Sequence, residues 1–209
     1  LKGKLKLISG KRIESPLNQN TRPTTSKVRE AIINILWNSI EEASWLDLCS
    51  GSGVMACEAL QKGAKRILAI ERQRETAKIC KKNLLDVSST LSHHFHIEII
   101  CKEMISFLKK GPKNNNIAFF KDYPNSEQRF DFVFLDPPYK SELYELSQEL
   151  LLKNKWIKKS STLICECSSK SIPTIHNGWK INKVKYYGNT SILFLTPNQA
   201  LNYFDDTDS

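Results

Sequence analysis

The sequence predicts an α/β fold: a mostly parallel sheet closed by an antiparallel hairpin. Two observations lead there. From Trp45 onward, short apolar runs alternate with helical stretches, the pattern of parallel strands covered by helices on both faces. At the far end, Trp179–Tyr187 and Ser191–Leu195 are joined by Gly188-Asn189-Thr190, a connection tight enough for a hairpin. The 209 residues, 40% hydrophobic and 25% charged, suffice to bury one substantial core.

The elements follow in order. Lys4–Glu14 alternates loosely around Gly10 and predicts a short hairpin. Asn18–Pro23 is a turn-rich connector, after which Thr24 or Thr25 can cap a helix. Val28, Ala31, Ile32, Ile35 and Leu36 recur at helical spacing and form one apolar face. Strands are predicted at Trp45–Cys49, Arg66–Glu71, His96–Cys101, Phe130–Leu135 and Thr162–Glu166. Helices are predicted between them at Val54–Lys62, Arg74–Leu85, Met104–Lys110 and Leu143–Leu152. Five parallel strands plus the terminal hairpin give seven. Gly111–Gln128, with Asn114-Asn115-Asn116, reads as a flexible polar loop, and the acidic tail 205–209 as disordered. Domain boundaries follow: 1–40 is a basic hairpin and helix packed on the core, 41–200 the main domain, 201–209 the tail.

Composition narrows the functional classes. No run approaches the length that spans a bilayer, and the basic N-terminus carries no apolar stretch before a cleavage site. Six cysteines, most of them inside apolar segments, read as buried or half-buried free thiols of a cytoplasmic protein. Cys165 and Cys167 lack further ligands at the spacing of a structural zinc site, His93, His94 and His96 lie in a polar loop, and no metal is expected. The formal net charge is +9 and is unevenly spread. Residues 1–30 hold eight basic residues against Glu14 and Glu30, and Lys62 to Lys82 hold eight against Glu71 and Glu75. Such asymmetry fits a polyanionic partner, although charged surfaces also serve solubility alone.

Two motifs carry chemistry. Leu46-Asp47-Leu48-Cys49-Ser50-Gly51-Ser52-Gly53 ends a strand and opens a helix, and its glycines let backbone approach a ligand closely. Glu71 ends the next strand, twenty residues after Gly51, where a carboxylate can accept hydrogen bonds from ribose hydroxyls. A dinucleotide loop reads similarly, as does a structural turn. Asp47, four residues ahead of Gly51, tips the reading toward the ammonium and sulfonium of S-adenosylmethionine, because an anion suits a pyrophosphate badly. The second motif, Asp136-Pro137-Pro138-Tyr139, follows the fourth predicted parallel strand, at the sheet edge where ligands bind. An exocyclic base amine is a poor nucleophile. The Asp136 carboxylate and Pro137 carbonyl can each accept one N–H and aim its lone pair, with the prolines fixing the backbone. Tyr139 offers a stacking face.

Read together, these segments resemble the bacterial small-subunit ribosomal RNA guanine-N2 methyltransferases. Arg22-Pro23-Thr24-Thr25-Ser26-Lys27-Val28-Arg29-Glu30 through Leu36 is similar to that family's N-terminal signature. Leu46–Gly53, Ile70-Glu71, Asp136–Tyr139 and Tyr187-Gly188-Asn189-Thr190 resemble its cofactor loop, ribose acid, catalytic loop and terminal hairpin. The departures are Cys49-Ser50 where Phe-Ala is common, Gln73 where Asp is frequent, and a longer Gly111–Gln128 segment. The resemblance implies a Rossmann-like class I methyltransferase with a seven-stranded, mostly parallel sheet. It implies S-adenosylmethionine held by Asp47, Cys49, Gly51, Gly53, Glu71, Arg72, Glu103 and Met104, with Glu103 bordering the adenine. It also implies catalysis by Asp136, Pro137 and Tyr139, and substrate contacts from Lys11, Arg12, Arg22, Thr24, Pro138 and Tyr139. The expected partner is ribosomal RNA, free or within a small subunit or assembly intermediate, and the expected state a monomer. Rival readings are an adenine-N6 methyltransferase acting on RNA or DNA, and a catalytically silent RNA-binding scaffold.

Overall fold

The computed structural model describes residues 3–16, 24–115, 117–121, 123–124, 128–138, 141–201 and 203–204. They form two compact units, Leu1–Lys102 and Glu103–Ser209. The connector at 18–23 and the tail at 205–209 lie outside the described residues.

The first unit opens with a separate two-stranded antiparallel sheet, β1 (Gly3–Lys6) and β2 (Arg12–Ser15). Gly10 turns it at φ +89°, a left-handed conformation that costs glycine nothing. Helix α1 (Ser26–Leu36) is capped by Thr25, whose hydroxyl accepts from Val28 N–H, and it buries Val28, Ile32, Ile33 and Leu36. Strands β3 (Ser44–Asp47), β4 (Arg66–Glu71) and β5 (His96–Cys101) then run parallel in the order β5-β4-β3. Helices α2 (Val54–Gln61) and α3 (Arg74–Ser88) make the crossovers. Strand β3 is buried along its whole length, as a strand covered on both faces must be.

The second unit carries four strands of the seven-stranded sheet in the order β6-β7-β9-β8: β6 (Phe130–Leu135), β7 (Ile157–Ser168), β8 (Trp179–Tyr187) and β9 (Thr190–Pro197). β6 and β7 are parallel, whereas β9 runs antiparallel to both β7 and β8. Helices α4 (Met104–Leu108), α5 (Gly111–Asn114), α6 (Ala118–Lys121) and α7 (Ser141–Lys153) complete it. The predicted fold class therefore stands, terminal hairpin included.

Two expectations need correction. Gly111–Gln128 is not simply a polar loop. It contains α5 and α6, and Phe119 and Phe120 are buried against Phe130 and Trp156, with the Phe119 and Phe130 rings stacked at 5.8 Å. The reason is aromatic burial: two adjacent rings outweigh the asparagines that precede them. β7 also begins earlier than Thr162. Between Phe130 and Phe132 the β6–β7 register shifts, and Ser161 donates its hydroxyl to the Phe130 carbonyl at 2.6 Å.

All six cysteines are free thiols. Cys57, Cys80, Cys165 and Cys167 are buried and Cys49 half-buried, but Cys101 is exposed, its thiol near the Arg72 carbonyl. No helix among the described residues is long and apolar enough to cross a membrane.

Candidate active site

In the first unit, the carboxyl ends of β3 and β4 assemble the glycine loop. The loop is held by Ser50 N–H to the Ile70 carbonyl (3.0 Å) and Gly53 N–H to the Ser50 carbonyl (2.7 Å). Its two glycines do different things. Gly53, at φ +76°, packs on α3, and a Cβ there would fall 2.6 Å from Cys80 Sγ. Gly51, at φ +53°, has no heavy atom within 4 Å of where a Cβ would stand, so its backbone borders open space. Glu71 grips this loop. One carboxylate oxygen accepts from Gly51 N–H (3.0 Å) and the other from Gln73 N–H (2.8 Å). A carboxylate fixed by two amides keeps further lone pairs for ribose hydroxyls.

Asp47 is 1% exposed, and neither of its oxygens has a hydrogen-bond partner. Burial, and then repulsion from Glu71, push its pKa from 3.8 to about 7. The amides of Ala56 and Cys49 pull it down without forming a hydrogen bond of good geometry. An unsatisfied buried carboxylate is costly, so it marks a place where a cationic group from outside the chain would be welcome. With Gly51 beside open space, this suits the ammonium and sulfonium of S-adenosylmethionine.

The support around the loop was not foreseen. Asn83, 1% exposed in α3, donates to the Ser52 carbonyl (2.8 Å) and the Glu14 carbonyl (2.9 Å) and accepts from Glu14 N–H (2.9 Å). One side chain thus ties the N-terminal hairpin to the glycine loop. The visible signal is an asparagine in register with buried Thr76, Cys80 and Val87, on the apolar stripe of α3. Arg29, counted above among the basic charges, is also buried. Its guanidinium donates to Glu58 (3.1 Å), the Thr24 carbonyl (2.7 Å) and the Lys6 carbonyl (2.6 Å). Glu58 in turn accepts from Ile8 N–H at 3.0 Å.

Among the expected substrate residues, Thr24 is buried under Arg29, while Arg12 is exposed. Lys11 reaches the Asp86 carbonyl on α3 and the Thr90 hydroxyl in the turn that follows it. Arg72 is exposed beyond Glu71. Arg22 lies outside the described residues.

In the second unit, Asp136 leaves the carboxyl end of β6 half-exposed, followed by buried Pro137 and exposed Pro138. Tyr139 lies outside the described residues. Tyr144 of α7 donates its hydroxyl to the Glu166 carbonyl, and its pKa is raised by burial and then by the Asp136 charge. Cys167 on β7 is pushed to about 11 by burial, Glu166 and Asp136. Asp136 therefore stands beside buried groups that stay neutral at physiological pH. Glu103 caps α4, accepting from Ile105 N–H (2.9 Å) and Ser106 N–H (2.7 Å). Burial opposes its charge, but those donors hold its pKa below the usual value. Met104 is buried against the Ser147 hydroxyl. Among the described residues no group of three or more His, Cys, Asp or Glu could hold a metal.

The family described as conserved hypothetical protein 95 matches residues 3–196. A ribosomal RNA small subunit methyltransferase D of Buchnera aphidicola is 32% identical over 188 residues, 87% of this chain and 86% of that one. The Haemophilus influenzae protein of the same name is 28% identical over 191 residues, 90% and 91% of the two chains. Among solved structures, a methylase from Haemophilus influenzae superposes with a TM-score of 0.70 at 28% identity, covering 93% of this chain and 99% of its own. An RNA methyltransferase from Salinibacter ruber, solved with S-adenosyl-L-homocysteine, shares the fold at a TM-score of 0.59 and 13% identity, covering 88% and 100%.

Proposed function

The chain belongs to the family described as conserved hypothetical protein 95, and on that premise we propose that it is an S-adenosylmethionine-dependent ribosomal RNA methyltransferase whose target is the exocyclic N2 amine of a guanine. The observation that carries the chemistry is Asp136-Pro137-Pro138 at the carboxyl end of β6, half-exposed at Asp136 and rigid beyond it. The guanine rests on the family resemblance.

S-adenosylmethionine, when bound, supplies an electrophilic methyl group on a sulfonium. Asp47 and the Glu71-clamped loop with Cys49, Gly51 and Gly53 would hold it, and Arg72, Glu103 and Met104 are the further residues that the family resemblance assigns to it. The Asp136 carboxylate and Pro137 carbonyl each accept one N–H of the target amine, which directs the nitrogen lone pair outward and holds it for in-line attack. Asp136 or a water then takes the proton lost from the methylated amine. Pro138 and Tyr139 bear on the base, while Arg22, Thr24, Lys11 and Arg12 belong to the RNA-facing N-terminal extension, residues 1–40. Residues 41–200 carry the transfer, in a cytoplasmic monomer acting on RNA alone or within a small-subunit particle.

Mass spectrometry of nucleosides from ribosomal RNA incubated with labelled donor tests this. N2-methylguanosine is expected, and N6-methyladenosine or no transfer would overturn it. Asp136→Ala should cut single-turnover transfer by on the order of 100- to 1000-fold while leaving donor affinity unchanged. A loss that followed donor affinity would move Asp136 to the donor site.

A further inference from the structure

Strand β8 is an outer strand of the sheet, and beyond Trp179 it is exposed or half-exposed throughout. It contains Lys180, Lys183 and Lys185 and no acidic residue. In a regular strand, side chains alternate between faces, so residues 180 and 183 would point to opposite sides. They do not, because the register slips between them. Ile181 pairs with Leu195 but Lys183 pairs with the adjacent Phe194, which leaves Asn182 as an extra, unpaired residue on β8. That single bulge reverses the parity. Lys180 (opposite Thr196), Lys183 (opposite Phe194), Lys185 (opposite Ile192) and Tyr187 (opposite Thr190) then share one face.

None of the three lysines makes a hydrogen bond or ion pair among the described residues. Among the described residues of β7, the acid in the same row is Glu166, opposite Ile192 of β9, and it is buried. Tyr187 ends the stripe at the Gly188 turn, where β9 Thr190 lies opposite Ser168 at the carboxyl end of β7. Because β6 and β7 are parallel, this is the edge from which Asp136 departs. Edge lysines also guard a sheet against pairing with another chain. That task does not require them on one face, and an aromatic ring at the end of the row adds nothing to it.

We propose that the β8 stripe of Lys180, Lys183, Lys185 and Tyr187 is a phosphate-binding track for the RNA that flanks the methylated nucleotide. It rests on the RNA reading above. Successive same-face residues on a strand lie about 6.6 Å apart, so the three ammonium groups on their flexible stems can follow a polynucleotide backbone. Tyr187 supplies a stacking face for a base at the end nearest Asp136.

The test uses the full chain with Lys180, Lys183 and Lys185 all changed to Gln, and with all three changed to Arg. RNA affinity is measured across a salt series on a ribosomal RNA fragment, beside methyl transfer and donor affinity. Each lost phosphate contact should reduce the slope of log affinity against log salt by about 0.7 on single strands, so the Gln variant should lose about 2. Its KM for RNA should rise, with kcat at saturating RNA and donor affinity unchanged, and the Arg variant should behave as wild type. An unchanged slope in the Gln variant, or binding of RNA-free protein partners lost instead, overturns the track. A wild type that methylates no RNA, yet shows the slope difference, overturns the proposed reaction and leaves the track standing.

Discussion

Asp47 holds the least satisfied charge at the candidate site, and it makes stability depend on pH in an unusual direction. Its pKa rises from 3.8 to about 7 on folding because burial disfavours the anion and Glu71 repels it. The folded state therefore keeps a proton that the unfolded chain releases. Stability from this group is complete below pH 3.8 and declines as pH climbs toward 7, by on the order of 4 kcal/mol in all. Asp47→Asn should remove that decline. Urea denaturation of ligand-free protein between pH 4 and 7.5 should show the variant gaining on wild type as pH rises, and parallel curves would refute the assignment. An anion here is legible in the sequence from the cation it would meet. It could not reveal that both oxygens are unpartnered, since that depends on which amides surround the end of β3. The two loop glycines were legible as a pair, but their division of labour was not. Only the packing of α3 puts Cys80 against Gly53 and leaves Gly51 facing open space.

Among the elements, the N-terminal hairpin and α1 are tied to α2 and α3 by buried polar side chains as well as by apolar burial. Arg29 and Glu58 are 3% and 2% exposed and meet at 3.1 Å. Burial raises the Glu58 pKa, and the hydrogen bond from Arg29 opposes it. Removing the cation strands a buried carboxylate together with the Thr24 and Lys6 carbonyls, so Arg29→Ala should cost about 3–5 kcal/mol in urea denaturation. A loss below 1 kcal/mol would mean that the network is not structural. Helix α1 itself was legible from its apolar spacing and threonine cap. Arg29 counts simply as one of the basic charges of residues 1–30, because a single arginine next to an apolar stripe looks the same whether it faces water or a glutamate 29 residues further along the chain. The segment after α4 was misread for a related reason. Composition favoured a loop, but Phe119 and Phe120 become anchors only once Phe130 and Trp156 are beside them.

Across the whole molecule, charge is the property that RNA would sense first. The formal net charge is +9, yet burial withdraws Arg29, and Lys82 is paired with Glu14. Exposed Lys4 and Arg12 remain on the hairpin. Changing both to Ala should flatten the salt dependence of RNA binding by about 0.7–0.9 log units per lost phosphate contact. Combined with the β8 variant, the two reductions should add, since they concern different phosphates; a combined effect no larger than either alone would show that the RNA uses one surface at a time. The order and type of nearly every element, the terminal hairpin and the two motifs follow from local sequence, because apolar periodicity and glycine, proline and carboxylate chemistry act over a few residues. Which carboxylate is left unpaired, which cations are buried, how Asn83 ties hairpin to loop, and that three lysines share a face emerge only from the folded chain. Those depend on register and on partners distant in sequence, where a one-residue slip such as that at Asn182 turns a side chain from one side of the sheet to the other.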